Sequence, residues 1–342
     1  MRKYLLPKEG TYYKANLHCH TTCSDGRFTP EEIKTIYKEQ GYSIVAYTDH
    51  DLMIDHSDLA DDSFLPMLGY EVNVDMLPSQ APVGYKKSCH MCFISLTPDN
   101  NMVCFDRDLL KSPKYEKYRD KVKFDPNEPD YKYYFSPECI NFMANRARKK
   151  GFFVTHNHPV WSHEEYPDYT SYVAMSAVEI VNYGSISLGF DCFSPTIYDD
   201  IVRAGHRIGA VASDDNHNAH PLDTPYSDSF GGFTMIKADK LDYPSVAAAL
   251  VKGSYYASMG PEIYDLWYED GRVHIVTSPA ATIRMNTCTS HSGIIHAEGG
   301  KLLTEATFEI KKMMHYFRFT VTDINGKHAC TSAYYLNDLT DL

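Results

Sequence analysis

The nine residues SIVAYTDHD (43–51) join a short apolar run to an abrupt polar cluster. The run SIVAY has the length and β-branched content of a strand buried on both faces. Its polar cluster therefore falls at the strand's C-terminal end, which is where α/β barrels gather their chemistry. Just upstream, Thr29-Pro30-Glu31-Glu32 forms a capping box with proline at the first helical position. Ile33, Ile36 and Tyr37 supply that helix's apolar stripe, and Gly41 closes it.

The same alternation recurs downstream. FLPMLG (64–69) leads into Gly69-Tyr70-Glu71-Val72, and His90 begins the strand-like HMCFISL. A helix opening at Ser136-Pro137-Glu138 ends at Gly151, and FFVT (152–155) then runs into His156-Asn157-His158-Pro159. Another helix opens at Ser194-Pro195 and closes at Gly205, before residues 208–212 lead into Ser213-Asp214-Asp215-Asn216-His217. Tyr243-Pro244 opens a last helix, followed by a strand over 254–258. Strands alternating with helices predict a mainly parallel α/β barrel. Residues 98–135 are charged, Tyr-rich and without clear periodicity, which predicts a lid or insertion near the site. Beyond Pro261, Glu269-Asp270-Gly271 and Asn325-Gly326 are hairpin turns between alternating runs such as RVHIVTS and HYFRFTVT. The expected organisation is a barrel over 1–261 and a small antiparallel β unit over 262–342.

Composition narrows the function classes. At 342 residues, with 43% hydrophobic and 23% charged, the chain is globular and long enough for a sizeable core. The stretch MRKYLLPKEGTYYK lacks a signal peptide's apolar core and no run approaches a membrane span, so a cytoplasmic location without membrane association is expected. Nine irregularly spaced cysteines predict reduced thiols rather than a disulfide framework. Cys89-His90-Met91-Cys92 has knuckle-like spacing, but no second cysteine pair follows, so these thiols read as small strand-packing residues. The formal charge of −12 disfavours an extended nucleic-acid interface. Arg146, Arg148, Lys149 and Lys150 cluster where a helix ends, and cations there offset its dipole.

The chemistry lies in the histidines and carboxylates. In NLHCHTTCSDG (16–26), His18 and His20 share one face of an extended strand and can grip one ion, while Cys19 points away. Two histidines at this spacing also arise at ordinary polar strand ends. The set is more telling: His18, His20, Asp25, His50, Glu71, His90, His158, Asp215 and His217 all lie at or beside predicted strand ends. Imidazole and carboxylate are ligands that zinc, manganese and iron accept, and nine of them can hold two or three divalent ions. Without metal, such a cluster would carry a substantial desolvation cost. Asp49 and Asp51 read as strand-end hydrogen-bond partners. His56, His163, His206, His220 and the histidines beyond His274 lack the strand-end context and suit surface or packing roles.

In NLHCHTTCSDGRFTPEE, YTDHD, Gly69-Tyr70-Glu71, His90, the stretch from Gly151 to Pro159 and SDDNH, the chain resembles the PHP (polymerase and histidinol phosphatase) metallophosphoesterases. The order and spacing agree over roughly its first three-quarters. The resemblance implies a distorted (β/α)7 barrel with a two- or three-metal site at its strand ends. Under it, His18, His20, Glu71 and Asp215 bind a first ion; Glu71 bridges to a second held by His90 and His158; and Asp25, His50 and His217 complete a third. The family's histidine precedes proline seven residues after the glycine, which selects His158, leaving His156 as a supporting or substrate-facing residue on the same strand face. Asp-x-His spacing selects Asp215 over Asp214.

Three divalent ions would halve the formal charge of −12 and make the site electropositive, suiting a small anionic phosphate ester. The expected activity is a phosphoesterase using a metal-activated hydroxide, with Asp25 and Glu71 in the reactive centre and His156 as a candidate proton donor. Arg27, after the SDG turn, either approaches a phosphate or is a solvated residue at a helix entrance. Some small-phosphate hydrolases of the family carry a basic residue soon after His-Pro, whereas this chain reads Pro159-Val160-Trp161-Ser162-His163. That departure keeps open carboxyl-ester or carbamate hydrolysis at the same site, and a non-catalytic interaction module is the third alternative.

Overall fold

The computed structural model describes residues 2–80 and 84–339. Its first elements are β1 (Lys3–Tyr4), β2 (Thr11–Asn16), α1 (Pro30–Glu39), β3 (Ile44–Tyr47), β4 (Leu65–Asp75) and β5 (Ser88–Ser95). Then come α2 (Pro137–Lys149), β6 (Phe152–Asn157), α3 (Tyr166–Tyr169), β7 (Ala177–Asn182), α4 (Tyr183–Ser187), α5 (Pro195–Arg203), β8 (Gly209–Ser213), β9 (Phe233–Ala238), α6 (Tyr243–Lys252) and β10 (Tyr255–Ser258). The C-terminal strands are β11 (Ile263–Glu269), β12 (Arg272–Ala280), β13 (Thr282–Thr287), β14 (Gly293–His296), β15 (Leu303–Glu309), β16 (Tyr316–Thr322), β17 (His328–Thr331) and β18 (Tyr334–Tyr335).

Local chemistry places the helix starts. Thr29 Oγ1 accepts from Glu32 N at 3.2 Å while Glu32 accepts from Thr29 N at 2.8 Å, completing the capping box of α1. Ser136 caps α2, and Asp242 caps α6, which ends on Gly253 in the left-handed conformation.

The fold is mixed α/β. A fourteen-stranded mixed sheet runs in the order β14-β13-β16-β17-β10-β9-β2-β3-β4-β5-β6-β7-β8, with β18 on β16, and a separate antiparallel sheet has the order β1-β11-β12-β15. Within the large sheet β2/β3, β3/β4, β6/β7 and β7/β8 are parallel. The sequence predicts a mainly parallel arrangement, and the difference arises at β4. This strand runs on for 11 residues and returns as β5 in an antiparallel hairpin, so β5/β6 is antiparallel too. Strands β9 and β10 are likewise antiparallel to their neighbours.

Strand β8 abuts β9: Ala212 N donates to Thr234 Oγ1 at 3.1 Å and Thr234 Oγ1 donates to Ala212 O at 2.9 Å. One buried cluster draws residues from every strand between β2 and β10, including Ala15, Ile44, Met67, Ile94, Phe153 and Val211. Residues 98–135 contain two 3-10 helices, Arg107–Lys111 and Pro113–Lys121, and pack on the strand-end loops. Tyr118 Oη donates to Thr22 O at 3.1 Å, and Tyr133 Oη to Asp51 Oδ1 at 3.2 Å. None of the helices among the described residues is long and apolar enough to cross a membrane.

Candidate metal centre

The strand ends converge on Glu71. This residue is inside β4, opposite Cys92, at the level where β3 ends and His50 bridges to it. Beyond Asn16 the chain stays extended through His20, tied by Asp215 N to His18 O (2.9 Å) and His20 N to Asn216 O (3.1 Å). His18 and His20 thus face inward, while Cys19 packs with Ile33, Tyr37, Val45 and Tyr47. Asp49 fixes the following turn by accepting from Thr21 N (2.8 Å) and Ser24 N (3.0 Å).

Glu71 Oε1 lies 3.2 Å from both His18 Nε2 and His90 Nδ1 and 3.5 Å from His158 Nε2. Its Oε2 lies 2.9 Å from His50 Nδ1 and 3.6 Å from His20 Nε2. Asp215 Oδ1 is 3.1 Å from Nε2 of both His18 and His20, and Oδ2 is 3.7 Å from His158 Nε2. Asp25 stands across the mouth, 3.8 Å from His20 Nδ1 and 3.6 Å from Nε2 of both His50 and His217. All nine sequence-selected donors therefore come together. The donor atoms of Glu71, His90 and His158, of His18, His158 and Asp215, and of His20, Asp25, His50 and His217 form groups spanning no more than 4.8 Å. His20 faces two ways, Nε2 toward Asp215 and Nδ1 toward Asp25, so it touches the group that the PHP resemblance assigns to Asp25, His50 and His217 alone.

Two features fit divalent ions to this donor set. His20 Nδ1 is buried without a hydrogen bond, and His50 Nδ1, although 2.9 Å from Glu71 Oε2, also makes none. The carboxylates also demand positive charge. Burial opposes a charge on His18, yet Asp215, Cys92, Glu71 and Glu179 hold it well above its ordinary range. Likewise His50 is pushed to about 9 against burial by Glu71 and Asp25, and His158 is raised by Glu71, Asp215 and Glu179. His20 falls to about 3 through burial and the neighbouring His217 and His50. Burial would raise Glu71, but His18, His90 and His50 hold it well below the usual carboxylate range.

One sequence expectation, His156 as a proton donor at the centre, is corrected, and Arg27 takes the second of its two readings, a solvated residue. His156 is not at the centre: its Nε2 pairs with Glu164 Oε2, and its ring stands 5.3 Å from Tyr172. Strict alternation would put His156 and His158 on one face, but His158 lies past the end of β6 at φ +28 and turns back inward. Asn157 takes the inward position, donating to Glu71 Oε1 at 3.0 Å. The side chain of Arg27 is exposed and does not line the cavity above the cage.

Sequence reasoning misses Glu179 on β7. It accepts from His18 Nδ1 (2.9 Å), His158 N (2.9 Å), Asn182 Nδ2 (2.8 Å) and the Ser213 hydroxyl, and so orients two of the cage histidines. A carboxylate within the apolar run AVEIV was its available signal. Cys92 packs in the buried cluster of β2 through β10, as read from the sequence, and also lies beside His18 and Glu71.

The cage opens into a cavity of about 380 Å³. Trp161, Leu188, Ala219 and Tyr226 give it an apolar wall, His220 and Asp228 add polar groups, and no lysine or arginine lines it among the described residues.

The nine donors thus form one candidate metal centre at the strand ends of an α/β fold. No protein-family model matches the chain, and no curated protein matches it. Among solved structures the chain is similar to a two-domain protein from Bacteroides vulgatus ATCC 8482 containing a predicted PHP-like metal-dependent phosphoesterase. Identity is 15% over 97% of each chain, with a TM-score of 0.45. It is also similar to a candidate metal-dependent phosphoesterase from Bifidobacterium adolescentis ATCC 15703, at 16% identity over 61% of this chain and 89% of that one (TM-score 0.38). A third similar structure is an amidohydrolase from Chromobacterium violaceum with bound sulfate and no metal, at 17% identity over 59% and 87% of the two chains (TM-score 0.38).

Proposed function

We propose that the chain is a metal-dependent hydrolase and, within that class, a phosphoesterase acting on small anionic phosphate esters. The observation that carries this is the convergence of nine imidazole and carboxylate donors, the buried Glu71 among them, beneath an open cavity. His18, His20, Asp25, His50, Glu71, His90, His158, Asp215 and His217 would hold two or three zinc, manganese or iron ions. When bound, such ions supply a hydroxide nucleophile at neutral pH and neutralise phosphoryl oxygens. The protein's own part is orientation and exclusion of water. Glu179 fixes the tautomer of His18 by accepting from Nδ1, leaving Nε2 to face inward. Trp161, 5.3 Å from the ring of His90 and 5.0 Å from that of His158, shields the cage from one side. Asp25, exposed at the rim beside three histidines, is the carboxylate placed to take or return a proton at the mouth.

The same proposal extends to architecture. Residues 1–261 form a distorted (β/α)7 barrel, supported by the β8–β9 contact and the apolar cluster common to β2 through β10, with 98–135 inserted over the rim. Residues 262–342 form a small β unit built onto it.

A second reading, carboxyl-ester or carbamate hydrolysis, is favoured by one feature: the apolar cavity wall without lysine or arginine suits a neutral substrate as well as an anionic one. A parallel assay of phosphate monoesters, phosphodiesters and aryl carboxyl esters with Mn²⁺- or Zn²⁺-loaded protein separates the two. Turnover of phosphate esters, inhibited by inorganic phosphate, is expected. Turnover of aryl carboxyl esters alone, unaffected by phosphate, would transfer the assignment to the second reading, and no turnover by protein with a full metal complement would remove both.

A further inference from the structure

On another side of the SDG turn, Cys23, Asp49 and His56 bring a sulfur, an oxygen and a nitrogen within 4.8 Å of one another. None of the three belongs to the cage, and Cys23 and His56 line a different cavity, beside Tyr118 and Lys121. Cys23 is 4% exposed and Asp49 2% exposed, so a thiol and a carboxylate are both withdrawn from water. Asp49 Oδ1 is saturated by Thr21 N, Ser24 N and Ser24 Oγ, whereas Oδ2 takes a single bond, from Thr21 Oγ1 at 2.9 Å. No lysine or arginine is paired with this carboxylate among the described residues. His56 Nε2 is buried with no hydrogen-bond partner, while its ring packs 4.8 Å from that of Tyr47. A buried carboxylate held by hydrogen bonds but by no lysine or arginine among the described residues, a buried thiol whose neighbours are the hydroxyls of Thr21 and Tyr118, and an imidazole whose Nε2 makes no hydrogen bond thus stand close enough to share one cation.

We propose that Cys23, Asp49 and His56 bind one thiophilic divalent ion, of the zinc or cobalt type, at a site separate from the hydrolytic cage. The mixed S/O/N donor set selects a borderline-soft metal over magnesium or calcium, and a water facing the second cavity would complete four-coordination. Binding displaces the Cys23 thiol proton to solvent. Its structural effect is to pin the turn carrying Asp25 to the segment after β3, so the ion acts on the cage by positioning and not by touching substrate.

The test is a Co²⁺ titration of chelator-stripped full-length protein, reading the near-ultraviolet sulfur-to-cobalt charge-transfer band and the metal content. The band is expected in the wild type, in Glu71→Gln, which damages the cage, and in Cys92→Ser, which removes the thiol beside it. Cys23→Ser should lose the band and one equivalent of metal. His56→Gln keeps the thiol and should still lose that equivalent, so it decides the matter if Cys23→Ser does not fold. Absence of the band in cobalt-saturated wild type, its survival in Cys23→Ser, its loss in Cys92→Ser, or an unchanged metal count in His56→Gln would each overturn the proposal.

Discussion

Glu71 is the residue whose change should be felt furthest. Both its oxygens face imidazoles, Oε1 toward His18, His90 and His158 and Oε2 toward His50 and His20. Glu71→Gln removes a charge shared between neighbouring donor groups, and metal analysis of the purified variant should show a loss of more than one ion per chain. Glu179→Gln tests the layer behind. It leaves the cage donors in place but loosens His18 and the backbone at His158, and should weaken metal affinity or turnover by roughly 10–100-fold. His156→Ala should retain the full metal complement while lowering the denaturation midpoint, because the buried Glu164 would lose its imidazole partner. Loss of an ion in that variant would return His156 to the centre. The contrast between His156 and His158 also marks a limit of sequence reasoning at this scale. Motif spacing selects His158, but strand alternation alone would pair it with His156; the positive φ of His158 sets the two apart, and backbone handedness at a non-glycine residue has no compositional sign.

At the scale of elements, the cage depends on loops held very close to one another. A Cβ on Gly184 would fall 2.7 Å from Asp215 O and 2.8 Å from Asp214 O, and one on Gly26 would fall 2.6 Å from His20 O. Both obstacles are backbone, so relief requires moving the ligand-bearing loop itself. Gly184→Ala should therefore cost about 1–3 kcal/mol in stability, typical of overpacking, and weaken metal binding as Asp215 is displaced. A variant with wild-type metal affinity and denaturation midpoint would show that the loop yields freely. Legibility followed the strength of local signals. The Pro-initiated helices α1, α2, α5 and α6 announce themselves through proline and, at α1, a reciprocal capping box. Strands β7 and β9 do not, since AVEIVN and FTMIKA interrupt their apolar runs with Glu179 and Lys237. In the fold Glu179 is consumed by the cage, and Lys237 buries its stem with its ammonium 4.7 Å from the Tyr12 ring centroid. The return of β4 through β5 is equally silent, because a hairpin after an apolar run resembles the end of a parallel strand.

For the whole molecule, the change of character at Pro261 marks where hairpin turns replace helices, but turn chemistry says nothing about which sheet a strand joins. Strand β17 pairs with β10, β16 pairs with β17, and the N-terminal β1 adds to the opposite sheet through β11. The C-terminal strands are also bolted to the α/β layer by charge. Arg318 on β16 is 1% exposed and donates from Nε and Nη2 to Asp199 on α5, at 2.6 and 2.7 Å, while Nη1 donates to Thr320 Oγ1 at 2.9 Å. Removing the carboxylate leaves a buried guanidinium without its counter-charge, a change that costs about 3–5 kcal/mol. Asp199→Ala should thus shift denaturant unfolding by that amount. Since the pair joins α5 to β16, far signals should move with it: near-ultraviolet circular dichroism, dominated by tyrosines on both sides, and loss of bound metal should report one coincident transition. Were the C-terminal strands an independent appendage, the variant would instead unfold in two steps, with metal released only in the second. A single transition at a lowered midpoint is expected, because β13, β14, β16 and β17 belong to the same sheet as β2 through β10.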